Sequence, residues 1–535
     1  MHRPAGSTEK TTSTLAKSAG SVSVAVFLSR ILGLVREQVL AGLFGAGTAM
    51  DAFVVAFRIP NLLRDLFAEG ALSSAFVTVF SEYEQKRGEK EAWLLANNVF
   101  TALTIIISII VVAGITFSED LVRLMAPDYG LVPGKVELTM RLTSIMFPFL
   151  LLVSQAALLM GILNAKGRFF IPSLASSCFN FSSIVVGGGL ALLFPKWRVE
   201  AIYGMAIGTL LGGLAQLLIQ LPSAKKEGFA FRLRLDLACP GLHKIARLIV
   251  PAIVGLSATQ INIFVNTNFA SQCAEGSVAW LNYAFRLIMF PIGLFGVALA
   301  IATLPVAAKQ AAQKELSKLG DTVVSSLTLA FALTLPAAVG LWILAEPIIK
   351  VIFEHGRFSG FDTLMTAQAL RFYALGLMAY SAVKIIVPIY YALNDTRWPV
   401  IGSFATVGIN VIFILLTLDS LQHKAIALAT SLSMMFNFVM LSTILYKKLG
   451  GFQVRKLMTS LLKAGAASAV MAAGLLITLY KVNRYTTLDS TWSIMAFLSI
   501  TIPAGALLYI LSIYVLKVPE LNLLFSQLKN KIKPS

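Results

Sequence analysis

The sequence predicts an all-α polytopic membrane protein of about fourteen transmembrane helices. Three observations carry this: the composition, apolar runs that recur from end to end, and basic residues gathered in alternate loops. Of 535 residues, 57% are hydrophobic and only 13% charged, whereas a soluble domain carries about 25% charged residues. A water-soluble fold is therefore excluded.

Crossing ~30 Å of hydrocarbon takes about 20 helical residues, and residues 98–117 and 493–516 are the cleanest stretches of that kind. The first apolar stretch carries Arg30, Arg36 and Glu37 and lacks a small-residue cleavage site, so it reads as a first span and not as a signal peptide. Spans are expected near 18–44, 50–83, 94–117, 137–163, 170–194, 200–222, 243–270, 277–308, 322–345, 364–392, 398–418, 423–446, 459–480 and 492–516. The connections are short, the longest cytoplasmic one being about 223–242.

The 44 basic residues against 26 acidic ones give a charge of +18, which in a soluble protein would suggest nucleic acid. Placement argues otherwise. Basic residues cluster at Lys86, Arg87 and Lys90, at Lys166 and Arg168, and at Lys225, Lys226, Arg232 and Arg234. Further clusters are Lys309, Lys314 and Lys318, then Lys447, Lys448, Arg455 and Lys456, and finally Lys529, Lys531 and Lys533. That is the positive-inside pattern of a multi-pass membrane protein and puts both termini in the cytoplasm. Its partners are then membrane lipids, with no nucleic acid. The cysteines Cys178, Cys239 and Cys273 show neither metal spacing nor obvious pairing.

The chain also repeats itself. Ala56-Phe57-Arg58 returns as Ala284-Phe285-Arg286 and Leu66-Phe67 as Leu294-Phe295, both 228 residues on. Glu119 and Arg123 return as Glu346 and Lys350 after 227, and Leu163-Asn164 as Leu393-Asn394 after 230. A near-constant shift through six spans indicates duplication. The expected organisation is a lobe over 1–230, a second over 231–450, and two extra helices with a cytoplasmic tail over 451–535. Paired bundles with this symmetry enclose a cavity that opens alternately to either side. The thirteenth span is rich in small residues from Ala464 to Gly474, a pattern that also suits ordinary close helix packing.

Charged residues inside spans point to chemistry. An arginine at the bilayer centre costs about 2.5–3.5 kcal/mol on insertion scales, so it faces a wet cavity or a partner. Arg30 and Arg36 in the first span, Arg64 in the second and Arg286 in the eighth are of this kind. Arg30 and Arg36 lie about 120° apart around a helix, while Arg30 and Glu37, seven residues apart, fall nearly on one line and are expected to compensate one another in part. In the second span Asn61, Asp65 and Glu69 form a stripe of period four, flanked by Arg58 and Arg64, with Asp51 near the helix start and Pro60 placed to bend it. The second span also reads as a helix long enough to hold some of these charges in water.

Guanidinium groups stay charged in a low dielectric and bind phosphate oxygens bidentately. A chamber lined by several of them selects an anion, and a pyrophosphate fits better than a monoanion. Gln260, Asn262, Asn266 and Asn268 in the seventh span suit sugar or peptide hydrogen bonding, an ion site, or packing between helices. No phosphate-binding P-loop occurs, and the four histidines, His2, His243, His355 and His423, fall at the terminus or near membrane surfaces. The expectation is a transporter with no catalytic residue, metal or cofactor, in which a coupling ion or the membrane potential supplies the drive.

These residues resemble the MurJ (MviN) family of lipid II flippases, within the larger superfamily of multidrug, oligosaccharidyl-lipid and polysaccharide exporters. The resemblance lies in Ser29-Arg30-Ile31-Leu32-Gly33 with Arg36, Phe44-Gly45-Ala46-Gly47, Asp51-Ala52-Phe53, Pro60-Asn61-Leu62-Leu63-Arg64 and Phe67-Ala68-Glu69-Gly70-Ala71. Gly293-Leu294-Phe295-Gly296-Val297-Ala298-Leu299 and Leu393-Asn394-Asp395-Thr396-Arg397 extend it into the second half. It implies two six-helix lobes, a groove at the last two helices for a polyprenyl tail, and lipid II as the substrate. It also implies Arg30, Arg36, Arg64 and Arg286 as cavity arginines, with Asp51 a further matched position. Phe285 and Met289 stand where the family often carries acidic residues, and Ala300 where it often has glycine.

The expected activity is alternating-access transfer of lipid II to the outer leaflet by a monomer, with the cell-wall synthesis machinery as a possible partner. Rival readings are a flippase for another polyprenyl-linked glycan, a membrane enzyme acting on such lipids, and a scaffold for wall synthesis. An enzyme would need an acid/base or metal cluster near one membrane face, and none is visible in the sequence.

Overall fold

The structure is a computed structural model that describes residues 6–66, 71–485 and 490–517. These fall into two compact units, Met1–Gly276 and Ser277–Ser535. The first contains α1 (Gly6–Phe44), α2 (Thr48–Arg64), α3 (Ala71–Arg87), α4 (Glu89–Thr116), α5 (Ser118–Met125), α6 (Lys135–Met146) and α7 (Phe149–Ala165). It continues through α8 (Phe170–Ser182), α9 (Gly188–Leu193), α10 (Ile202–Leu218), α11 (Leu221–Lys226) and α12 (Pro240–Ser271). The second unit contains α13 (Ser277–Pro291), α14 (Ala298–Ala312), α15 (Leu316–Phe353), α16 (Gly360–Leu375) and α17 (Leu377–Ala392). It ends with α18 (Arg397–Leu421), α19 (His423–Lys448), α20 (Val454–Tyr485) and α21 (Thr491–Val515). No strand occurs among the described residues.

Eleven helical stretches are long and apolar enough to cross a bilayer, or twelve if α16 and α17, bent by 46°, count as one broken span. The expected spans near 18–44 and 50–83 coincide with α1 and with α2 and α3, which are not among the eleven. The second expected span is described as two helices, on either side of residues 67–70, instead of one continuous rod. Glu69 and most of the motif Phe67–Ala71 lie outside the described residues, as do Lys529, Lys531 and Lys533.

The apolar patterning explains the packing. In α4 the outward Ile106, Ile109 and Val112 are exposed, as lipid-facing residues should be, while Leu95 and Val99 pack inward with Phe76, Phe80, Leu158 and Ile162 of α3 and α7. Gly88 makes the tight turn between α3 and α4 at φ +87°, a conformation that a side chain would strain. Between α8 and α9 the chain widens into a π-helical turn, Ser183–Gly187. Here α10 comes so close that a Cβ at Gly208 would overlap the backbone of Gly187, and one at Gly204 the backbone of Ala191.

The segment 227–239 is not a free loop. Asn97 accepts from Arg232 N (2.7 Å) and donates to Ala230 O (3.1 Å), while Asn98 accepts from Asp236 N and donates to Asp236 O (both 2.7 Å). Two adjacent amides on α4 thus satisfy backbone groups that would otherwise be stranded near the membrane. The following helix, α12, packs with α3, α4 and α5 and so belongs to the first unit.

In the second unit Val323, Leu327, Ile385, Ile386 and Leu441 join α15, α17 and α19 into one core. α20 and α21 pack on α15, burying Ala464, Ala467, Met471 and Ile494, and Tyr509 donates its hydroxyl to Ala332 O at 2.6 Å. Part of the small-residue run of α20 therefore serves close packing, while Ala466, Ala469 and Ala473 on its other face are exposed.

Candidate functional site

Helix α2 and its C-terminal cap carry polar groups every seventh residue, at Asp51, Arg58 and Asp65, and at 3.6 residues per turn these fall nearly in line. Each meets the segment 260–276. Gly276 N–H donates to Asp51 Oδ2 at 2.9 Å, Arg58 Nη1 donates to Thr267 Oγ1 at 2.9 Å, and Gln260 Nε2 donates to Asp65 Oδ2 at 3.3 Å. The rungs run antiparallel, so α2 and α12 are joined by polar bonds along one seam. Among apolar helices such bonds are worth about 0.6–2 kcal/mol each.

At the Asp51 end the charges are fully enclosed. Lys135 Nζ bonds the same Asp51 oxygen at 3.1 Å, and both side chains are under 5% exposed. The ammonium also lies 4.1 Å from the centre of the Tyr129 ring, and burial holds that phenol well above its ordinary pKa and hence neutral. Beside it, the backbone N–H of Thr48 donates to Glu275 Oε1 at 2.8 Å and the Thr48 hydroxyl bonds the same oxygen. Those bonds, with the positive charge of Lys135, keep the Glu275 carboxyl below its usual range.

At the other end, Arg64 donates to Asp65 Oδ1 through Nη2 (2.9 Å) and Nε (3.2 Å), both side chains being partly exposed. Asn61 is half-buried one turn earlier. In α1, Arg36 Nη2 donates to Glu37 Oε1 at 2.8 Å and the guanidinium stands 5.4 Å from the Phe179 ring, while its buried Nε has no partner among the described residues. The ion pair of Glu37 is thus with Arg36, its neighbour, and not with Arg30 as the seven-residue spacing suggested: seven residues are about two turns, or ~10 Å along the helix, so the adjacent guanidinium is the nearer partner. Arg30 is exposed two turns away.

Arg286 lies in the second unit, exposed near the middle of α13, with Phe285 and Met289 as neighbours. Phe285 packs edge-on against Tyr373 at 5.4 Å. The first unit therefore gathers Asp51, Arg58, Asn61 and Arg64 on α2 and places Arg30 and Arg36 on α1; Arg286 is described within its own unit, and Glu69 lies outside the described residues.

The sequence reading missed three charged residues of this kind. Lys135 follows Pro133-Gly134, which reads as a surface turn, and nothing local signals its burial. Glu275 likewise sits in a loop. Lys384, exposed on α17 within an apolar stretch, had a signal: an ionisable residue inside a span is a site candidate by default. The three cysteines are free, and burial pushes the Cys273 thiol up to about 12, where it is inert. No group of His, Cys, Asp and Glu suited to a metal occurs among the described residues.

An all-helical chain with many apolar spans and arginines within them defines an integral membrane transporter, and solved structures agree on the fold. A multidrug MATE-family transporter of the MOP superfamily, in an inward-facing conformation, aligns with a TM-score of 0.64 at 17% identity over 79% of this chain and 95% of its own. A structure titled lipid II flippase MurJ, inward closed conformation, aligns with a TM-score of 0.76 at 27% identity over 93% and 98%.

The family described as lipid II flippase MurJ matches residues 40–492. A probable lipid II flippase MurJ of Buchnera aphidicola is 35% identical over 81% of this chain and 84% of its own length, and one of Vibrio cholerae 34% over 86% and 89%. The Burkholderia cenocepacia lipid II flippase MurJ is 35% identical over 71% and 74%. The chain belongs to the MurJ lipid II flippase family, a family of inner-membrane transporters and not of enzymes.

Proposed function

We propose that this protein moves lipid II from the cytoplasmic to the outer leaflet by alternating access, binding the pyrophosphate through Arg30, Arg36, Arg64 and Arg286. The observation that carries the reading is the pairing of Arg36 with Glu37 and of Arg64 with Asp65 inside a chain of this family. A guanidinium already held by a neighbouring carboxylate is kept oriented at low cost, and an incoming pyrophosphate replaces one bidentate partner by another of higher charge. Asp51, Arg58 and Asn61 would act on the same seam of α2, and Glu69, outside the described residues, is kept as a further substrate-binding candidate.

In this reading the lobes 1–230 and 231–450 rock against one another, residues 451–535 hold the polyprenyl tail, and both termini face the cytoplasm. The protein works as a monomer that hands its product to the wall-building machinery, without a cofactor. With the cytoplasm negative, outward movement of one negative charge releases about 2.3 kcal/mol per 100 mV, so two uncompensated charges release roughly 4.6. Flipping that is unchanged when the potential is collapsed would refute that drive.

The test is complementation of a bacterium depleted of its own lipid II flippase. Wild type should restore growth, and Arg30→Ala, Arg64→Ala and Arg286→Ala at matched membrane levels should lyse. Failure of well-expressed wild type, after host incompatibility is excluded, would favour another polyprenyl-linked glycan as cargo. Survival of all three variants would remove the arginine site.

A further inference from the structure

A second basic site lies in the second unit, at the start of α20. There a pocket of about 610 Å³ is lined by Arg455, Lys456, Thr459, Ser460 and Lys463, with Tyr446 and Phe452 at its wall. No lining residue is acidic; at its edge Gln453 donates to Asp321 Oδ1 at 3.5 Å. Two glycines, Gly450 and Gly451, turn the chain sharply before the helix, so the first-turn amides of α20 add their partial positive charge to the same end.

The spacing shapes the site. Arg455, Thr459 and Lys463 recur every fourth residue, a polar strip about 12 Å long that runs into a span beginning at Val454. Directly beside it Val454, Met458 and Leu462 form an apolar strip, exposed by 41%, 42% and 75%. Lys463 donates one of its three hydrogens to Lys517 O at 3.1 Å, which holds the ammonium at the pocket while two donors remain. A cation fixed two turns inside an apolar helix calls for an anion at that depth.

We infer that this pocket binds the phosphate of an anionic glycerophospholipid, with the headgroup on Arg455, Thr459 and Lys463 and the acyl chains along Val454, Met458 and Leu462. The glycerophospholipid is favoured over a soluble phosphate because the apolar strip adjoins the cations at the same depth, and a free ion has no use for it. The basic loops assign this end of α20 to the cytoplasmic leaflet, where anionic lipids are enriched. The site is separate from the arginines assigned to the transported pyrophosphate, which lie on α1, α2 and α13.

The experiment titrates the delipidated full-length protein in nonionic detergent with short-chain phosphatidylglycerol or phosphatidylcholine, counting bound lipid by native mass spectrometry. Phosphatidylglycerol should bind saturably, and R455Q/K463Q should weaken it about thirtyfold, the loss expected for two basic contacts. The charge-keeping pair R455K/K463R should bind within about threefold of wild type, and phosphatidylcholine should be weak and equal on all three. Equal affinity for the two lipids, no change in R455Q/K463Q, or equal loss in R455K/K463R would overturn the proposal. Two competitors separate the sources of phosphate. Displacement of phosphatidylglycerol by millimolar inorganic phosphate would leave only a soluble-anion site, and preferential displacement by farnesyl pyrophosphate would reassign the pocket to the prenyl-linked cargo; either result overturns it.

Discussion

The polar seam of α2 in the first unit and the helices of the second unit handle charge differently. Along α2 of the first, Asp51 is enclosed and answered by Lys135, while the less buried Arg58 donates to Thr267 and the partly exposed Arg64 to Asp65. In the second, the ion pairs Lys318–Glu315, Lys350–Glu354, Arg371–Glu346 and Lys448–Asp395 are at least partly exposed and sit near helix ends, while Arg286 and Lys384 stand exposed within helices. The difference teaches where charge is buried within the packing and where it meets the surface. A buried pair is costly to break because the surviving charge is stranded, whereas a partly exposed pair contributes little.

Removing the arginines is the strongest way to break the comparison. Arg64→Ala and Arg286→Ala should each lower lipid II flipping in reconstituted vesicles by more than about a hundredfold. If only the Arg286 variant fails, the paired arginine is structural.

Next in size is Lys135→Met, which leaves Asp51 buried without its cation and should cost about 3–5 kcal/mol in unfolding. Asp51→Asn with Lys135→Met should recover much of that loss, as read by denaturant unfolding in detergent. Equal damage in the single and double variants would mean that the pair is not what holds this end of α2.

Acid should act on Glu275. Its carboxyl is held below the ordinary range, so its contribution is present above the unfolded value, about 4.3, and is lost as pH falls through the lower folded value. Glu275→Gln should flatten thermal stability between about pH 5 and pH 3 relative to wild type. A parallel pH profile in the variant would exclude this carboxylate as the source. The smallest effect is expected in the second unit, where Lys350→Ala should shift stability by under about 1 kcal/mol; a shift comparable to that of Lys135→Met would erase the contrast between the buried seam pair and these surface pairs.

Much of this was legible in the sequence because membrane folding leaves little choice. An apolar run with no water to satisfy its backbone must be helical, so the helical spans could be read from composition and length. The arginines on α1, α2 and α13 stood out against that background for the same reason. What could not be read was partnership across distance. The stripe of period four expected in the second span was visible, but the seam to α12 follows period seven, through Asp51, Arg58 and Asp65, and its partners lie about 200 residues away. The packing of α12 with the first unit, and the strapping of residues 227–239 by Asn97 and Asn98, were hidden likewise, since an amide beside an amide looks in sequence like any polar patch.

The contact of Gly208 with the backbone of the π-helical stretch, and of Gly204 with that of α9, has a mechanical meaning. Two rods that touch main chain to main chain have no side-chain cushion between them, so they resist sliding and twisting as a welded joint does. Whatever motion carries a headgroup across the membrane must leave α8 to α10 moving as one stiff beam. Bending then has to come from softer places, such as the helix around Pro60 or the 46° break between α16 and α17. A single methyl group added at Gly208 would act as a wedge in the weld, and its effect would be felt throughout the beam.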